Sequence, residues 1–129
     1  MNYEYETLEV ELSDHVLTVS VNNPPCNVMT LALYRDLLQF TAAVEQDDDV
    51  KVVVLQSKDP DFLIAHFDIS LILTMPTSEP AVRGERITDF HAMCQRMQTM
   101  NKVTIAKVAG RVGGGGSEFT ASCDMRFGV

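Results

Sequence analysis

Apolar and polar residues alternate at the start of the chain. Leu8, Val10 and Leu12 are separated by Glu9 and Glu11, the period-two pattern of a strand with one wet face. Ser13-Asp14-His15 supplies turn residues, and Val16 to Val21 makes the returning strand of a hairpin. Asn22-Asn23-Pro24-Pro25 ends regular structure. The period then lengthens. Leu33, Leu37, Phe40 and Val44 recur at helical spacing, with Tyr34, Leu38 and Thr41 beside them, which predicts a helix over 30–45 capped by Thr30 or Asn27. The acidic run Gln46-Asp47-Asp48-Asp49 ends it as a solvated turn. Val50 to Leu55 is a continuous apolar run rich in β-branched residues, as expected of a strand buried on both faces of a parallel sheet.

Beyond the loop Ser57-Lys58-Asp59-Pro60-Asp61, the segment 62–73 is mixed, and Met75-Pro76-Thr77 interrupts the chain again. A second helix is expected over about 80–100, with Phe90, Met93, Met97 and Met100 as its apolar stripe, although Gly84 weakens its first part. That methionine stripe reads as core packing. Val103 to Val108 is a further short strand, followed by a loop with glycine at 110 and 113–116, a short helix over 117–122 and a strand over 125–129. Strands alternating with helices give an α/β fold, read as one domain over residues 1–129. The last strand reads as buried with no later element to cover it, so the chain is expected to be part of a larger protein.

Composition narrows the function. The formal charge of −8 argues against a nucleic-acid surface, which needs a basic footprint, and gives no long-range attraction for an anionic ligand. No apolar stretch is long enough to span a membrane, and the acidic start lacks the form of a signal peptide. Cys26, Cys94 and Cys123 have no metal-ligand or redox spacing, so no metal site is expected. They read as reduced, mostly buried thiols of a reducing compartment, the cytoplasm.

Two segments can carry chemistry. In Gly113-Gly114-Gly115-Gly116-Ser117-Glu118, four glycines between a strand and a helix let backbone approach a ligand with no Cβ in the way, and the free N–H groups of the helix start face that space. Such donors suit a phosphate or an oxyanion formed during reaction. A flexible turn is the plainer reading. A Walker loop fails for lack of a lysine after Gly116, and a dinucleotide-binding fingerprint fails because its third glycine position holds Glu118. The second segment is Phe62 to Ile69. Asp68 can cap a helix starting near Ile69, and His66, beside bulky apolar residues, reads more readily as a packed loop residue than as a catalyst.

Taken together, Phe62 through Ile69, Ile105 through Gly110, Gly114-Gly115-Gly116-Ser117-Glu118 and Cys123-Asp124 resemble the N-terminal half of the crotonase superfamily, the enoyl-CoA hydratase/isomerase family. Asn23 to Met29 resembles the loop before that family's first helix, and Val50 to Leu55 its third strand. The likeness covers essentially the whole chain and about half of a typical member. It implies a crotonase-like spiral of repeated β-β-α units, truncated after about half of the fold. It also implies an acyl-CoA thioester as substrate, with coenzyme A part of that substrate and no separate cofactor.

Residue by residue, the resemblance makes the N–H groups of Phe67 and Gly115 the two donors to a thioester oxygen and Glu118 a catalytic carboxylate. Pro25, Cys26, Ala65, His66, Phe67, Asp68, Ile69, Gly114 and Gly115 would line the substrate site. Trimers or hexamers of the chain, or association with a missing C-terminal half, are implied as partners. His66 and Phe67 stand where the family usually has Gly and Ala, Ala109 where it has Asn, and Val103 where it has Pro. The two bulky residues should narrow the pocket or move the loop. The resulting expectation is an enzyme acting through an enolate, most simply by adding or removing water or moving a double bond. The alternative is a non-catalytic acyl-CoA-binding module. Without the resemblance, Glu118 is equally a residue placed early in a helix by its dipole.

Overall fold

The hairpin forms where the alternation places it. In the computed structural model, which describes residues 1–129, β1 (Leu8–Ser13) pairs antiparallel with β2 (Val16–Val21). Asp14 and His15 turn the chain with φ of 49° and 66°, the positive values that a two-residue hairpin needs. α1 (Leu31–Glu45) follows, and Thr30 caps it by accepting from the Leu33 N–H. Asn27, the other cap candidate, sits upstream with φ of 54° and serves a different purpose.

β3 (Val52–Ser57) starts two residues later than the run of valines suggests. Its start is set by the hairpin turn, because His15 O accepts from the N–H groups of both Lys51 and Val52. β3 lies parallel to β2 and to β5 (Val103–Val108), and β5 lies parallel to β7 (Met125–Gly128). The sheet order is therefore β1-β2-β3-β5-β7. Helices cover one face only, so β3 is not buried on both sides. Val53 and Leu55 are fully buried, whereas Val52 and Val54 are half-buried. The uncovered face is polar at one end, with Glu9, Glu11, Thr18 and Gln56, and apolar at the other, with Val103, Met125 and Phe127 exposed. β7, expected to be buried, is the edge strand and is exposed along its whole length, on both faces.

The core lies between the sheet and the helices. Leu33, Leu37, Phe40 and Val44 of α1 meet Leu17, Val19, Val53 and Leu55 of the sheet and Met93 and Met97 of α2 (Asp89–Thr99). The methionine stripe is thus packing, as its spacing suggests. α2 is about half the expected length. Thr88 stops it by accepting from the His91 N–H, and residues 75–88, which hold Pro76, Pro80 and Gly84, form no helix and are exposed. Asp68 caps a 3-10 turn, Ile69–Thr74, through the Ser70 N–H. Of the three thiols, Cys123 is buried and Cys26 and Cys94 are half-buried.

A second, smaller sheet has no sequence-level counterpart. β4 (Phe62–Ile64) pairs parallel with β6 (Arg111–Val112), and α3 (Gly114–Ala121) follows directly. The helix therefore starts three residues earlier than Ser117 and takes three glycines into its first turn. Close approach explains why. A Cβ on Gly110 would lie 2.6 Å from the Asp61 carbonyl carbon, one on Gly113 2.7 Å from Ala65 O, and one on Gly116 2.6 Å from the Ile64 Cβ. Glycine thus lets backbone pack on backbone along the whole of residues 61–65.

Buried polar ties fix the same region. Asn27 donates to Ser57 Oγ, Phe62 O and Leu63 O, while its own Oδ1 accepts from the Asn23 N–H. Asp124 accepts from both the N–H and the hydroxyl of Thr104, so the Cys123-Asp124 pair binds the end of α3 to the start of β5. Asp36 likewise takes both the N–H and the hydroxyl of Thr7.

The turn after α1 carries its own acid sensitivity. The Tyr3 hydroxyl donates to Asp47, and this bond, aided by the Asp49 N–H and by Lys102, holds the Asp47 carboxyl below the usual range. The ionised form is favoured in the folded state. Its contribution is therefore complete at neutral pH and fades as pH falls through the depressed value. Asp47→Asn should lower stability at pH 7 and flatten the acid limb of the stability curve. Urea unfolding from pH 7 to pH 3 checks this, and an unchanged slope would show that Asp47 is not part of that limb.

The glycines give a sharper expectation. Gly116→Ala should gain about 1 kcal/mol of helix propensity and lose about 1–3 kcal/mol to the clash with Ile64, for a net loss. At Gly115 an added Cβ would meet Phe90 at 3.5 Å and Phe67 at 3.6 Å, which is ordinary contact. Gly115→Ala should therefore be neutral or stabilising by up to about 1 kcal/mol. Denaturant midpoints of the two variants should move in opposite directions, or at least separate clearly.

Candidate active site

The turn after β4 is held from one side only. Met29 N–H donates to His66 O, and Asp68 N–H donates to Met29 O, which makes an isolated parallel bridge between Met29 and Phe67. In such a bridge the groups of the residue opposite point away, so the Phe67 N–H faces the side opposite Met29. Gly114 lies there. Its missing Cβ would be 3.4 Å from the His66 Cβ and 3.7 Å from the Phe67 nitrogen. Gly114 has φ of +50°, a conformation that glycine adopts without the strain a side chain would bring to the turn into α3.

The start of α3 thus lies against the Phe67 peptide. Gly113 O already accepts from the N–H groups of Gly116 and Ser117. Gly115, second in the helix, has no acceptor within the helix for its own N–H. Phe67 and the first turn of α3, from distant parts of the chain, thus lie against each other beside a cavity of about 460 Å³.

Tyr34, Phe67, Met75, Phe90, Gly115 and Glu118 line this cavity. Glu118 lies three residues after Gly115, on the same side of the helix, and is exposed. The rings form an apolar wall. Tyr34 and Phe67 meet edge to face with centroids 5.9 Å apart, and Tyr34 and Phe90 lie within 27° of parallel at 6.3 Å. Burial, with smaller contributions from Asp89 and Cys94, raises the Tyr34 phenol, so it stays protonated at neutral pH.

The sequence-derived site residues divide into two groups. Phe67, Gly115 and Glu118 meet at the cavity. Pro25, Cys26, Ala65, His66, Asp68, Ile69 and Gly114 form the surrounding loops and do not line it. Pro25 is exposed and Cys26 half-buried, just before the Asn27 tie, and Ala65 O packs against Gly113. The bulky pair at 66 and 67 does not displace the loop from Met29. His66 is exposed and folds back, its Nδ1 2.7 Å from Phe67 O. That oxygen can only accept, so Nδ1 carries the proton. Phe67 instead narrows the pocket, because its ring is part of the wall. Asp68 is engaged by the N–H and hydroxyl of Ser70, and the hydroxyl chiefly holds its carboxyl below the usual range. Ile69 is exposed.

Sequence reasoning passed over Tyr34, Met75 and Phe90. Tyr34 was visible only as an aromatic residue beside the stripe of α1, and Phe90 was counted in the core stripe of α2. Two thiols, Cys94 and Cys123, are held toward their protonated form. Burial pushes Cys94 up, opposed by the Ser122 hydroxyl and aided by Glu118, and burial pushes Cys123 up to about 12.

Known proteins share this arrangement of sequence and fold. Residues 11–128 match the family model described as enoyl-CoA hydratase/isomerase. The chain is similar to the mitochondrial Delta(3,5)-Delta(2,4)-dienoyl-CoA isomerase of Mus musculus, at 27% identity over 98% of this chain and 41% of that protein. It is similar to the short-chain-enoyl-CoA hydratase of Clostridium acetobutylicum, at 27% identity over 96% of this chain and 47% of that protein. The fold superposes on the crystal structure of an enoyl-CoA hydratase/isomerase from Marinobacter aquaeolei with a TM-score of 0.77 and 27% identity, covering 95% of this chain and 48% of the other. The chain thus spans less than half the length of these relatives. With a family model matched over nearly all of its residues and a solved fold of the same kind, the chain belongs to the enoyl-CoA hydratase/isomerase family.

Proposed function

We propose that the protein processes acyl-CoA thioesters through an enolate, as a hydratase or isomerase. The observation that carries this reading is the apposition of the Phe67 peptide and the first turn of α3 beside an apolar cavity. Removing an α-proton from a thioester, or adding a nucleophile to its β-carbon, moves negative charge onto the carbonyl oxygen. The N–H groups of Phe67 and Gly115 would donate to that oxygen. Donors fixed before the charge develops need no reorganisation, and this lowers the barrier.

Glu118 supplies the proton chemistry. As a carboxylate it accepts a proton from the α-carbon or from an attacking water, and as the acid it returns one. The loops at Pro25–Cys26 and Ala65–Ile69 would hold the coenzyme A portion largely through backbone atoms. The two named relatives are described by their enoyl-CoA and dienoyl-CoA chemistry, which supports a thioester substrate here. Association of copies into trimers or hexamers belongs to the same reading. The exposed Val103, Met125 and Phe127 favour it.

One observation favours a second reading, a non-catalytic acyl-CoA-binding module. Glu118 is the only carboxylate among the residues lining the cavity, and it is exposed. Turnover of a panel of 2-enoyl-CoA and 3-enoyl-CoA thioesters separates the two. Binding of the panel without turnover of any member would establish the module.

Two substitutions separate the roles. Glu118→Gln keeps size but cannot exchange a proton. It should leave thioester binding nearly unchanged and lower kcat by about two to four orders of magnitude. Full activity in this variant would reduce Glu118 to a helix residue. Gly115→Pro removes one donor outright and also distorts the loop. It should lower kcat by on the order of a hundredfold or more, about 3 kcal/mol in the transition state. Gly115→Ala, which keeps the N–H, is the control and should stay active.

A further inference from the structure

Phe67 lies in a turn outside regular structure, so the direction of its N–H is set by what holds the turn. That N–H has no backbone partner. The groups around it are engaged, most of them by one short stretch of chain. Asn27 Nδ2 donates to Ser57 Oγ at 2.8 Å, Leu63 O at 3.0 Å and Phe62 O at 3.2 Å. Asn27 O accepts from the Ala65 N–H at 3.2 Å, the Met29 N–H donates to His66 O at 2.8 Å, and Met29 O accepts from the Asp68 N–H at 3.1 Å. On the other side, Ile64 O accepts from the Gly113 N–H at 3.1 Å. Residues 62–68 are thus gripped between the loop before α1 and the start of α3. Met29 takes part in that grip through its main chain, and Asn27 adds a side chain to it.

Resting on the reading above, we propose that Asn27 is a positioning residue for the reaction: its side chain holds the Phe67 peptide in place against the first turn of α3, and so sets how well the thioester oxygen is stabilised. Asparagine meets two demands at once. The residue has φ of 54°, a left-handed conformation that asparagine adopts more readily than most side chains. It is 1% exposed, and both ends of its amide are satisfied, Nδ2 by three oxygens and Oδ1 by the Asn23 N–H at 2.8 Å. Aspartate has the same shape but would set a carboxylate oxygen against the carbonyls of Phe62 and Leu63 and push them away. Glycine keeps the backbone conformation and drops the grip. In either case residues 62–68 are loosened on one side while Gly113 still holds Ile64, so the Phe67 peptide shifts relative to Gly115. A shift on the order of 1 Å is enough to cost such a donor much of its effect. Tyr34 and Phe90 of the cavity wall stand on α1 and α2, which the Asn27 side chain does not touch, so binding should suffer less than turnover.

The test reads the carbonyl of a bound ester directly. Infrared spectra of 2-butenoyl-CoA with an isotope-labelled carbonyl are taken at saturation on the Glu118→Gln chain, and hydrogen bonds from the protein should move the band to lower frequency than in free ester. In Asn27→Asp and Asn27→Gly on the same background the band should return toward the free value, while affinity for the ester stays within about threefold. With Glu118 present, both changes should lower kcat by about tenfold to a hundredfold. Asp47→Asn, beyond the far end of α1, is the control for lost stability alone and should keep the band and kcat of the parent. Ser57→Ala, which removes one of the three oxygens held by Nδ2, should move the band the same way by less. If a folded Asn27 variant keeps the parent's band, the inference is overturned and the thioester reading stands. A folded variant that no longer binds the ester overturns it too, because Asn27 then serves binding. So does an equal return of the band in Asp47→Asn. Where neither Asn27 variant folds, an unmoved band in Ser57→Ala overturns it. If the parent does not bind the ester, or binds it with the band of free ester, the thioester reading fails and takes the inference with it.

Discussion

The close approach of two backbones governs this molecule. Residues 61–65 and the glycine-rich stretch 110–116 come so near that a side chain at Gly110, Gly113 or Gly116 would overlap carbonyl carbons, carbonyl oxygens or Ile64. The small β4–β6 sheet, the early start of α3 and the meeting of Phe67 with Gly115 all follow from it. The large sheet and its helices supply the stable background, since twenty buried apolar residues form one core there. They do not by themselves bring Phe67 and Gly115 together.

Glycine permits that approach, and buried hydrogen bonds make it specific. Asn27 spans from the loop before α1 to the carbonyls of β4, and Met29 holds the turn at Phe67 from the opposite side. Asp124 closes the other end by seizing the first residues of β5. Each tie is polar, at least partly shielded from solvent, and local to a junction where regular structure stops. Leaving such groups without partners costs about 1–3 kcal/mol apiece, comparable with the whole helix-propensity gain of replacing one glycine.

Most of the scaffold was legible in the sequence because periodicity is a local signal. The hairpin, α1, β5 and the methionine packing of α2 all sit where spacing puts them. The errors have a common origin in what periodicity does not carry. The start of β3 is set by His15 O across the sheet, and its half-exposed outer face reflects helices lying on one side only. The shortened α2 follows from one threonine cap overriding a weak apolar pattern. β4 and β6 are too short to have a period. At the site, Phe67, Gly115 and Glu118 were found through motif resemblance, whereas Tyr34, Met75 and Phe90 come from three unrelated segments and have no motif to betray them. Asp68 reads as a cap in the sequence and serves as one, its carboxylate accepting from the N–H and hydroxyl of Ser70.

The return of His66 onto its neighbour's carbonyl has a consequence for how such a chain can change over generations. Because the N–H groups at 67 and 115 belong to the main chain, a mutation at 67 alters the shape and greasiness of the chamber and leaves those groups in place. Gly110, Gly113 and Gly116 have no such freedom. Variation is therefore channelled: a lineage can explore new chamber shapes one aromatic residue at a time, while the main-chain groups beside it are inherited intact.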